Sequence, residues 1–250
     1  MIVLKTSREL SLMKEAGRIS AAALKLAGEA VEPGVTTAEI DRLAEKYIRS
    51  QGAVPNFKGY GGFPATACIS INSEVIHGIP SHKRVIRAGD IVSIDLGAAF
   101  EGYNGDNAAT FAAGDVSDEA KALMDATRES LYEGIRMAKA GNRIGDISAA
   151  VQRYVEARGY SVVRQFVGHG VGTSLHEAPE VPNFGTPGHG IRLLPGMTLA
   201  IEPMIDMGTA EVCWLDDDWT VVTEDGSLSA HYENTVLITD GEPELLTLTR

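Results

Sequence analysis

An internal repeat constrains this chain more than any other feature of its sequence. The segment that begins at Leu12, LMKEAGRISAAALKLAGEAVEPGVTTAEIDRLAEKYIRSQGA, resembles the segment LMDATRESLYEGIRMAKAGNRIGDISAAVQRYVEARGY, which begins at Leu123. A constant spacing of 107 residues pairs identical residues of the two copies: Gly34 with Gly141, Ile40 with Ile147, Tyr47 with Tyr154 and Gly52 with Gly159. We therefore expect two structurally related halves, roughly residues 1–115 and 116–250.

Each copy has the pattern of a helix pair followed by strands. Thr36 and Asp146 are residue types that favour helix starts, and apolar residues recur at helical spacing after the second of them. Alternating apolar segments then predict strands, namely TACISIN, DIVSIDL, YSVVRQFV, MTLAIEPM and HYENTVLIT. This order predicts an α+β fold in which helices cover one face of an antiparallel sheet. Since no linker-like segment separates the halves, we predict a single domain over residues 1–250.

Charge and composition exclude several classes of protein. The net charge is −12 without a basic cluster, so we expect phosphate backbones to be repelled and no nucleic acid to be bound. No apolar segment approaches the roughly 20 residues that span a bilayer. The two cysteines, Cys68 and Cys213, match neither a zinc pattern nor a disulfide framework, which favours a cytoplasmic protein.

Acidic residues interrupt the apolar strands at equivalent positions of the repeat. The same spacing of 107 residues aligns RAGDIVSIDLG with LPGMTLAIEPM, so that Asp95 corresponds to Glu202. An ionised carboxylate in an apolar strand is costly unless it is paired or binds a metal. A single such residue would usually be a salt-bridge partner, but two at equivalent positions favour a common function.

Asp106 follows Asp95 across a predicted hairpin whose turn is Phe100, Glu101 and Gly102. In that hairpin the two aspartates stand opposite each other, with Cβ atoms roughly 4.5 to 5.5 Å apart. Their repulsion is relieved by a divalent cation or, less favoured here, by one shared proton.

Glu233 adds a fourth acid in an apolar strand, where a partner of Asp106 would fall after a 20-residue insertion in the second half. Two divalent cations would balance four carboxylates, so the sequence favours a dinuclear site.

The histidines differ in their sequence contexts. His169 lies between glycines in FVGHGVG, which lets the backbone approach a metal closely, and we predict a metal ligand. His77 and His176 each precede a loop that contains proline, and their context alone leaves a site role and a structural role open. His231 lies two residues before Glu233, so it is either a supporting residue of the site or an exposed residue at its edge.

Taken together, these segments closely resemble the type I methionine aminopeptidases of the pita-bread metallopeptidase family. The resemblance rests on INSEVIHGIP, DIVSIDLG with GYNGDNAATF, FVGHGVGTSLHEAP, GMTLAIEPM and SAHYENTVLIT, and the length is that of the short bacterial form. It implies the pita-bread fold, two pseudo-symmetric halves around an antiparallel sheet. It also implies that two divalent ions (Co, Mn, Fe or Zn) are held by five ligands, namely Asp95, Asp106, His169, Glu202 and Glu233. Asp106 and Glu233 would bridge the two ions.

The resemblance implies roles for other residues too. His77 and His176 match the histidines that bind substrate and handle protons, and Glu202 matches the proton acceptor. The methionine pocket is matched by Tyr60, Phe63, Cys68 and Trp219. The chain departs from the usual family residues at five positions, which concerns rate and pocket shape: Phe63, Asn107, Leu175, His231 and Asn234.

The implied activity is removal of the N-terminal methionine from peptides and nascent chains, including chains at the ribosome, when the second residue is small. Ile2 is β-branched, so we expect this chain to retain its own Met1. We expect a monomer. Two alternatives share the fold: an Xaa-Pro aminopeptidase or prolidase, which usually carries an additional amino-terminal domain, and a non-catalytic peptide-binding protein, which typically lacks ligands.

Overall fold

The computed structural model describes residues 2–248, so Met1 and the prediction that it is retained lie outside the described residues. Four α-helices lie within this range: α1 (Ser7–Glu29), α2 (Thr37–Ser50), α3 (Asp118–Met137) and α4 (Ile144–Glu156). No helix among them is long and apolar enough to cross a membrane.

Fifteen short strands accompany the helices within residues 2–248. Their bounds are β1 (Val54–Pro55), β2 (Ala67–Ile71), β3 (Glu74–Ile76), β4 (Ile91–Phe100), β5 (Tyr103–Ala112), β6 (Ser161–Val162), β7 (Gly168–Gly170), β8 (Glu177–Val181), β9 (Thr198–Ile201), β10 (Met204–Asp206), β11 (Val212–Trp214), β12 (Val221–Thr223), β13 (Ser229–His231), β14 (Glu233–Leu237) and β15 (Glu244–Leu245). Nine of them form an antiparallel sheet with the path β1-β4-β5-β14-β9-β7-β8, while β2 pairs with β4 and β15 pairs with β14.

Side-chain hydrogen bonds define where the helices begin. Thr36 caps α2, and Glu39 accepts a hydrogen bond from the Thr36 backbone in return, which is a capping box. The sequence placed the start of α4 at Asp146, and this is wrong by two residues. Asp146 occupies the third helical position and accepts from the backbone N–H of Arg143, the residue before the helix.

The repeat is visible in the backbone. Gly34 and Gly141 both have positive φ, +97° and +95°, and Gly89 and Gly196 have +92° and +90°. A left-handed conformation is costly for residues with a Cβ atom, so the repeated glycines mark repeated turns. Isolated bridges join Thr36 with Val85 and Arg143 with Arg192, which are again 107 residues apart.

Helices and functional side chains lie on opposite faces of the sheet. Ile94 and Leu96 of β4 are fully buried against Ile19 and Ile40 from α1 and α2. Successive strand residues point to opposite faces, so Asp95 lies on the face away from these helices. In the second half, Ile201 of β9 packs in a core cluster with Ile147 of α4.

One predicted strand is mostly wrong. In the segment 160–167 only β6 (Ser161–Val162) pairs with another strand, and the chain leaves the sheet afterwards. Phe166 instead packs its ring against His77 and Trp214, with centroids 5.7 Å apart in both pairs. Aromatic contact at the edge of the site therefore replaces strand pairing there.

Candidate metal centre and substrate pocket

The register of three neighbouring strands brings the acidic residues together. β5 lies between β4 and β14, and Ala108 of β5 is paired with Asp95 on one side and with Glu233 on the other. Asp106 lies two residues earlier on β5 and therefore points to the same face. Asn234 pairs with Ile201, which places Glu202, the residue after β9, beside Glu233.

Asp95 and Asp106 do not stand opposite each other, and this part of the sequence prediction is wrong. The hairpin turn contains only Glu101 and Gly102, since Phe100 pairs with Tyr103. Asp106 is therefore paired with Gly97 and is a diagonal neighbour of Asp95, a geometry with Cα atoms roughly 7 to 8 Å apart. Both carboxylates still point to one face.

His169 points into this group of acids from β7. Its Nε2 atom lies 3.4 Å from Glu202 Oε1 and 3.8 Å from Asp106 Oδ2. Its Nδ1 atom lies 2.8 Å from the carbonyl oxygen of Gly170, which can only accept, so Nδ1 carries the proton and the Nε2 lone pair is free for a metal. One ligand atom from each of Asp106, His169 and Glu233 lies within 4.8 Å of the others.

Burial dominates the electrostatics of the four carboxyls. Desolvation raises the pKa of Asp95 to about 8. Desolvation, followed by the Asp95 charge, raises the pKa of Asp106 well above its ordinary value. Glu202 and Glu233 have strongly raised pKa values for the same two reasons, burial first and neighbouring acids second. Without a cation, this group holds protons at neutral pH.

Unpaired oxygen atoms make the group suited to a cation. Asp95 Oδ1, Asp106 Oδ1 and Glu233 Oε1 are buried and have no hydrogen-bond partner among the described residues. Buried polar atoms are normally satisfied, and carboxylate oxygens with one imidazole nitrogen are common ligands of divalent transition metals. The residues present therefore fit a metal centre.

His77 and His176 line the same cavity as the acids. Burial, and to a smaller extent the His176 charge, lowers the pKa of His77 to about 4, so this ring is neutral at pH 7. Its ring meets Trp219 edge to face at 6.2 Å between centroids. His176 has a pKa lowered by desolvation, and its Nδ1 lies 2.7 Å from the hydroxyl of Tyr60.

The four predicted pocket residues lie together beside the acids. They belong to one cavity, here called the inner pocket, with an empty volume of about 490 Å³; its apolar lining is Phe57, Tyr60, Phe63, Cys68, Leu175 and Trp219. Phe63 and Trp219 meet edge to face at 5.1 Å between centroids. Burial raises the pKa of the Cys68 thiol, so the pocket wall is uncharged there.

Sequence reasoning missed Phe57 as a wall of this pocket, and it named Leu175 only as a departure. Both are apolar residues within loops, and no periodic pattern distinguishes such residues from ordinary core residues. Phe166 was missed for a different reason, because its segment had the pattern of a strand.

His231 is buried, which decides between the two alternatives that its sequence position left open. It is 1% exposed, and its Nε2 atom lies 3.8 Å from Glu202 Oε2. Burial lowers the pKa of His231 to about 3, so the ring is neutral. It is therefore a neighbour of the acids and not an exposed residue at the edge of the site.

Buried carboxylates with one imidazole, beside an apolar pocket, define the class of site as a candidate metal centre next to a binding pocket. The family model of metallopeptidase family M24 matches residues 11–240. A methionine aminopeptidase from Clostridium acetobutylicum is 56% identical over 248 residues, 99% of both chains. Methionine aminopeptidase 1 from Bacillus subtilis is 51% identical over 247 residues, again 99% of both chains.

Solved structures agree with this match. The crystal structure of methionine aminopeptidase from Thermotoga maritima has a TM-score of 0.98 and 46% identity, and 99% of both chains is covered. A prolidase from Pyrococcus horikoshii, at 24% identity, shares only the fold, with a TM-score of 0.79 over 65% of its chain. This chain belongs to metallopeptidase family M24, and the predicted pita-bread fold class is confirmed.

Proposed function

We propose that this chain is a metal-dependent aminopeptidase that removes N-terminal methionine when the second residue is small. The observation that carries the proposal is the juxtaposition of the acids and His169 with the apolar inner pocket. Phe63, Cys68 and Leu175 are each no more than 5% exposed, so the pocket has a closed apolar end. An unbranched thioether side chain fits such a space.

We further propose that the centre holds two divalent ions. Asp95, Asp106, His169, Glu202 and Glu233 would be the ligands, with Asp106 and Glu233 shared between the ions. Four carboxylates then match four positive charges. When bound, such ions lower the pKa of water and polarise a carbonyl group.

The protein's own groups then perform the proton transfers. Glu202 is the proton acceptor, since its carboxylate becomes ionised once cations offset the cost of its burial. A neutral His176 that accepts from Tyr60 at Nδ1 carries its proton on Nε2, and this N–H can stabilise developing charge on the carbonyl oxygen. His77 is neutral and can contact the amide nitrogen or the new amino group.

Several properties of the surroundings belong to the same proposal. Cys68 and Cys213 are free thiols, which suits a reducing cytoplasm. Nascent chains, as they leave the ribosome, are the substrates that best suit a methionine-removing enzyme. We propose that the monomer acts on them, since both cavity walls and ligands come from one chain.

A metal-replacement assay tests the proposal. Chelation should abolish cleavage of Met-Ala-Ser, and Mn(II) or Co(II) should restore it, while an Xaa-Pro peptide stays uncut. Circular dichroism should change little on chelation, because the strands that carry the ligands are held by helices packed against the opposite face. Faster cleavage of the Xaa-Pro peptide would favour the prolidase alternative, and turnover of neither peptide would favour a binding protein.

His77→Ala and His176→Ala are the matched variants for this assay. Both should lower turnover while the metal content after dialysis stays that of the parent protein, because neither side chain is a proposed ligand. Loss of metal from either variant would make that histidine a ligand and would change the proposed mechanism.

A further inference from the structure

A second cavity continues from the metal centre along the edge of the sheet. This outer groove has an empty volume of about 720 Å³ and is lined by Val167, Gly168, Ala178 and Glu180, together with His169 and His176. The two histidines also line the inner pocket. The imidazoles are therefore a shared wall, and a chain that leaves the centre past His176 enters the outer groove.

The exposure of the two cavities differs in a way that suits one substrate. The inner pocket ends in buried apolar side chains, whereas Ala178 and Glu180 of the outer groove are exposed. A closed pocket suits the first side chain of a substrate, and an open groove suits the polypeptide that follows it. β8, which carries both exposed residues, ends the path of the main sheet.

The groove carries one uncompensated negative charge. Its lining includes a second acid, Glu177, but Lys5 Nζ lies 2.7 Å from Glu177 Oε2, and these side chains are only 3% and 12% exposed. Glu180 forms no ion pair with any residue from 2 to 248.

The distance along β8 indicates which substrate residues Glu180 would meet. Glu180 lies three residues beyond Glu177, on the order of 10 Å along an extended strand. An extended substrate advances by a similar distance per residue. A peptide whose first peptide bond lies beside His176 would therefore bring its third to fifth residues near Glu180.

We propose that the outer groove binds the third to fifth residues of the substrate and favours lysine or arginine there through Glu180. The inference rests on the proposed aminopeptidase function and adds a substrate class to it. Because Glu180 is exposed, the preference is small, about two- to fivefold in kcat/KM, as for other solvent-exposed ion pairs.

Competition between peptides tests this inference. The Mn(II)-loaded enzyme is given Met-Ala-Ser-Lys, Met-Ala-Ser-Gln and Met-Ala-Ser-Glu amides, with the charged residue also moved to positions three and five. We expect kcat/KM to fall in the order Lys, Gln, Glu at the position nearest Glu180. Glu180→Gln should abolish this order and Glu180→Lys should reverse it, and added salt should weaken it in the parent enzyme.

Glu224→Gln is the matched control, since it removes an exposed carboxylate of the same kind outside both cavities and should keep the order. Equal rates for the three peptides in the parent enzyme would overturn the inference, as would an order that persists in Glu180→Gln. Failure of the proposed function is a separate outcome, because then no Met-Ala peptide is cleaved by any variant.

Discussion

The two halves of the molecule share a backbone plan but differ where the strands meet the site. In the first half, β4 and β5 are continuous ten-residue strands joined by a two-residue turn. In the second half, β9 ends at Ile201 and β14 begins at Glu233, and β10 to β13 lie between them. The first half thus supplies Asp95 and Asp106 from one hairpin. The second half supplies the equivalent Glu202 and Glu233 from two strands that are separated in sequence.

This difference shows how a repeated scaffold gains an asymmetric site. The repeated strands provide the four acids, two from each half. The segment between β9 and β14 is longer than its counterpart in the first half and provides Trp219 of the inner pocket. His231, which lies beside Glu202, stands where the first half has Asn104. The four acids are therefore the symmetric part of the site, whereas His169 and the inner pocket are the asymmetric part.

The largest test of the comparison concerns Asp106 and Glu233, the two acids that we propose to be shared between the ions. Asp106→Asn and Glu233→Gln should each lower kcat by more than about 100-fold. A loss of that size is the upper limit for residues that only orient metal ligands, and the ligands themselves should exceed it. Each variant should also lose metal on dialysis and, without metal, unfold at a higher temperature than the metal-free parent, because a buried acid is replaced by a neutral amide.

Metal content, turnover and thermal unfolding of both variants measure this prediction, with the exposed Asp115→Asn as control. If only one of the two variants loses metal, the acids of the two halves are not equivalent.

The next test concerns Asp206 of β10, where the first half has Ala99 at the equivalent position. Asp206 is fully buried, neither carboxylate oxygen has a partner among the described residues, and burial raises its pKa to about 7. The unfolded chain releases this proton near pH 4, so stability falls as pH rises from about 4 to about 7. Asp206→Asn should recover up to about 4 kcal/mol at pH 8 and little at pH 4.

Urea unfolding of the metal-loaded parent and variant at both pH values measures this difference, and contributions common to both proteins cancel. Asp118→Asn, whose side chain is fully exposed, should show no such dependence. A variant that gains nothing at pH 8 would mean that Asp206 is ionised and stabilised in the fold.

A smaller effect should be equal in the two halves. Gly34→Ala and Gly141→Ala place a Cβ atom at φ values of +97° and +95°, with no other atom within 4 Å of it in either half. Only the backbone penalty remains, about 1 to 2 kcal/mol for each variant. Chemical denaturation should give matching losses, and Gly241→Ala, where φ is not positive, should be neutral. Unequal losses would show that the repeated turns differ in strain.

The smallest effect concerns the capping acids of α2 and α4, whose removal should destabilise the two halves by different amounts. Glu39 and Asp146 are equivalent capping residues. Glu39 Oε2 accepts a second hydrogen bond from the nearby hydroxyl of Thr36, whereas Asp146 Oδ1 accepts an additional one from the backbone N–H of Gly188, which is distant in sequence, at 2.7 Å. Asp146→Ala should therefore cost about 1 kcal/mol through that additional bond, and Glu39→Ala should cost less. Thermal unfolding of the two variants decides this, and equal shifts would show that the Gly188 contact contributes nothing.

Much of the site could be predicted because its residues lie in regular, repeated strands. Asp95 and Glu202 were identified by their equivalent positions, Asp106 as the residue across the predicted hairpin from Asp95, and Glu233 as an acid within an apolar strand. The hairpin register could not be predicted, because it depends on a turn of two residues in which Glu101 adopts a positive φ of +47°. Asp146 was misplaced because a capping acid can stand before a helix or at its third position.

The sequence by itself determined the repeat, the α+β class and the residue types of the metal centre, since periodicity and equivalent positions are local properties of the chain. Only the tertiary structure decided that Asp95 and Asp106 are diagonal, that His231 is buried, and that the outer groove shares its wall with the inner pocket. These features depend on strand register and on contacts between residues far apart in sequence, for example His176 with Tyr60, which are 116 residues apart. No periodic pattern in the sequence indicates such contacts.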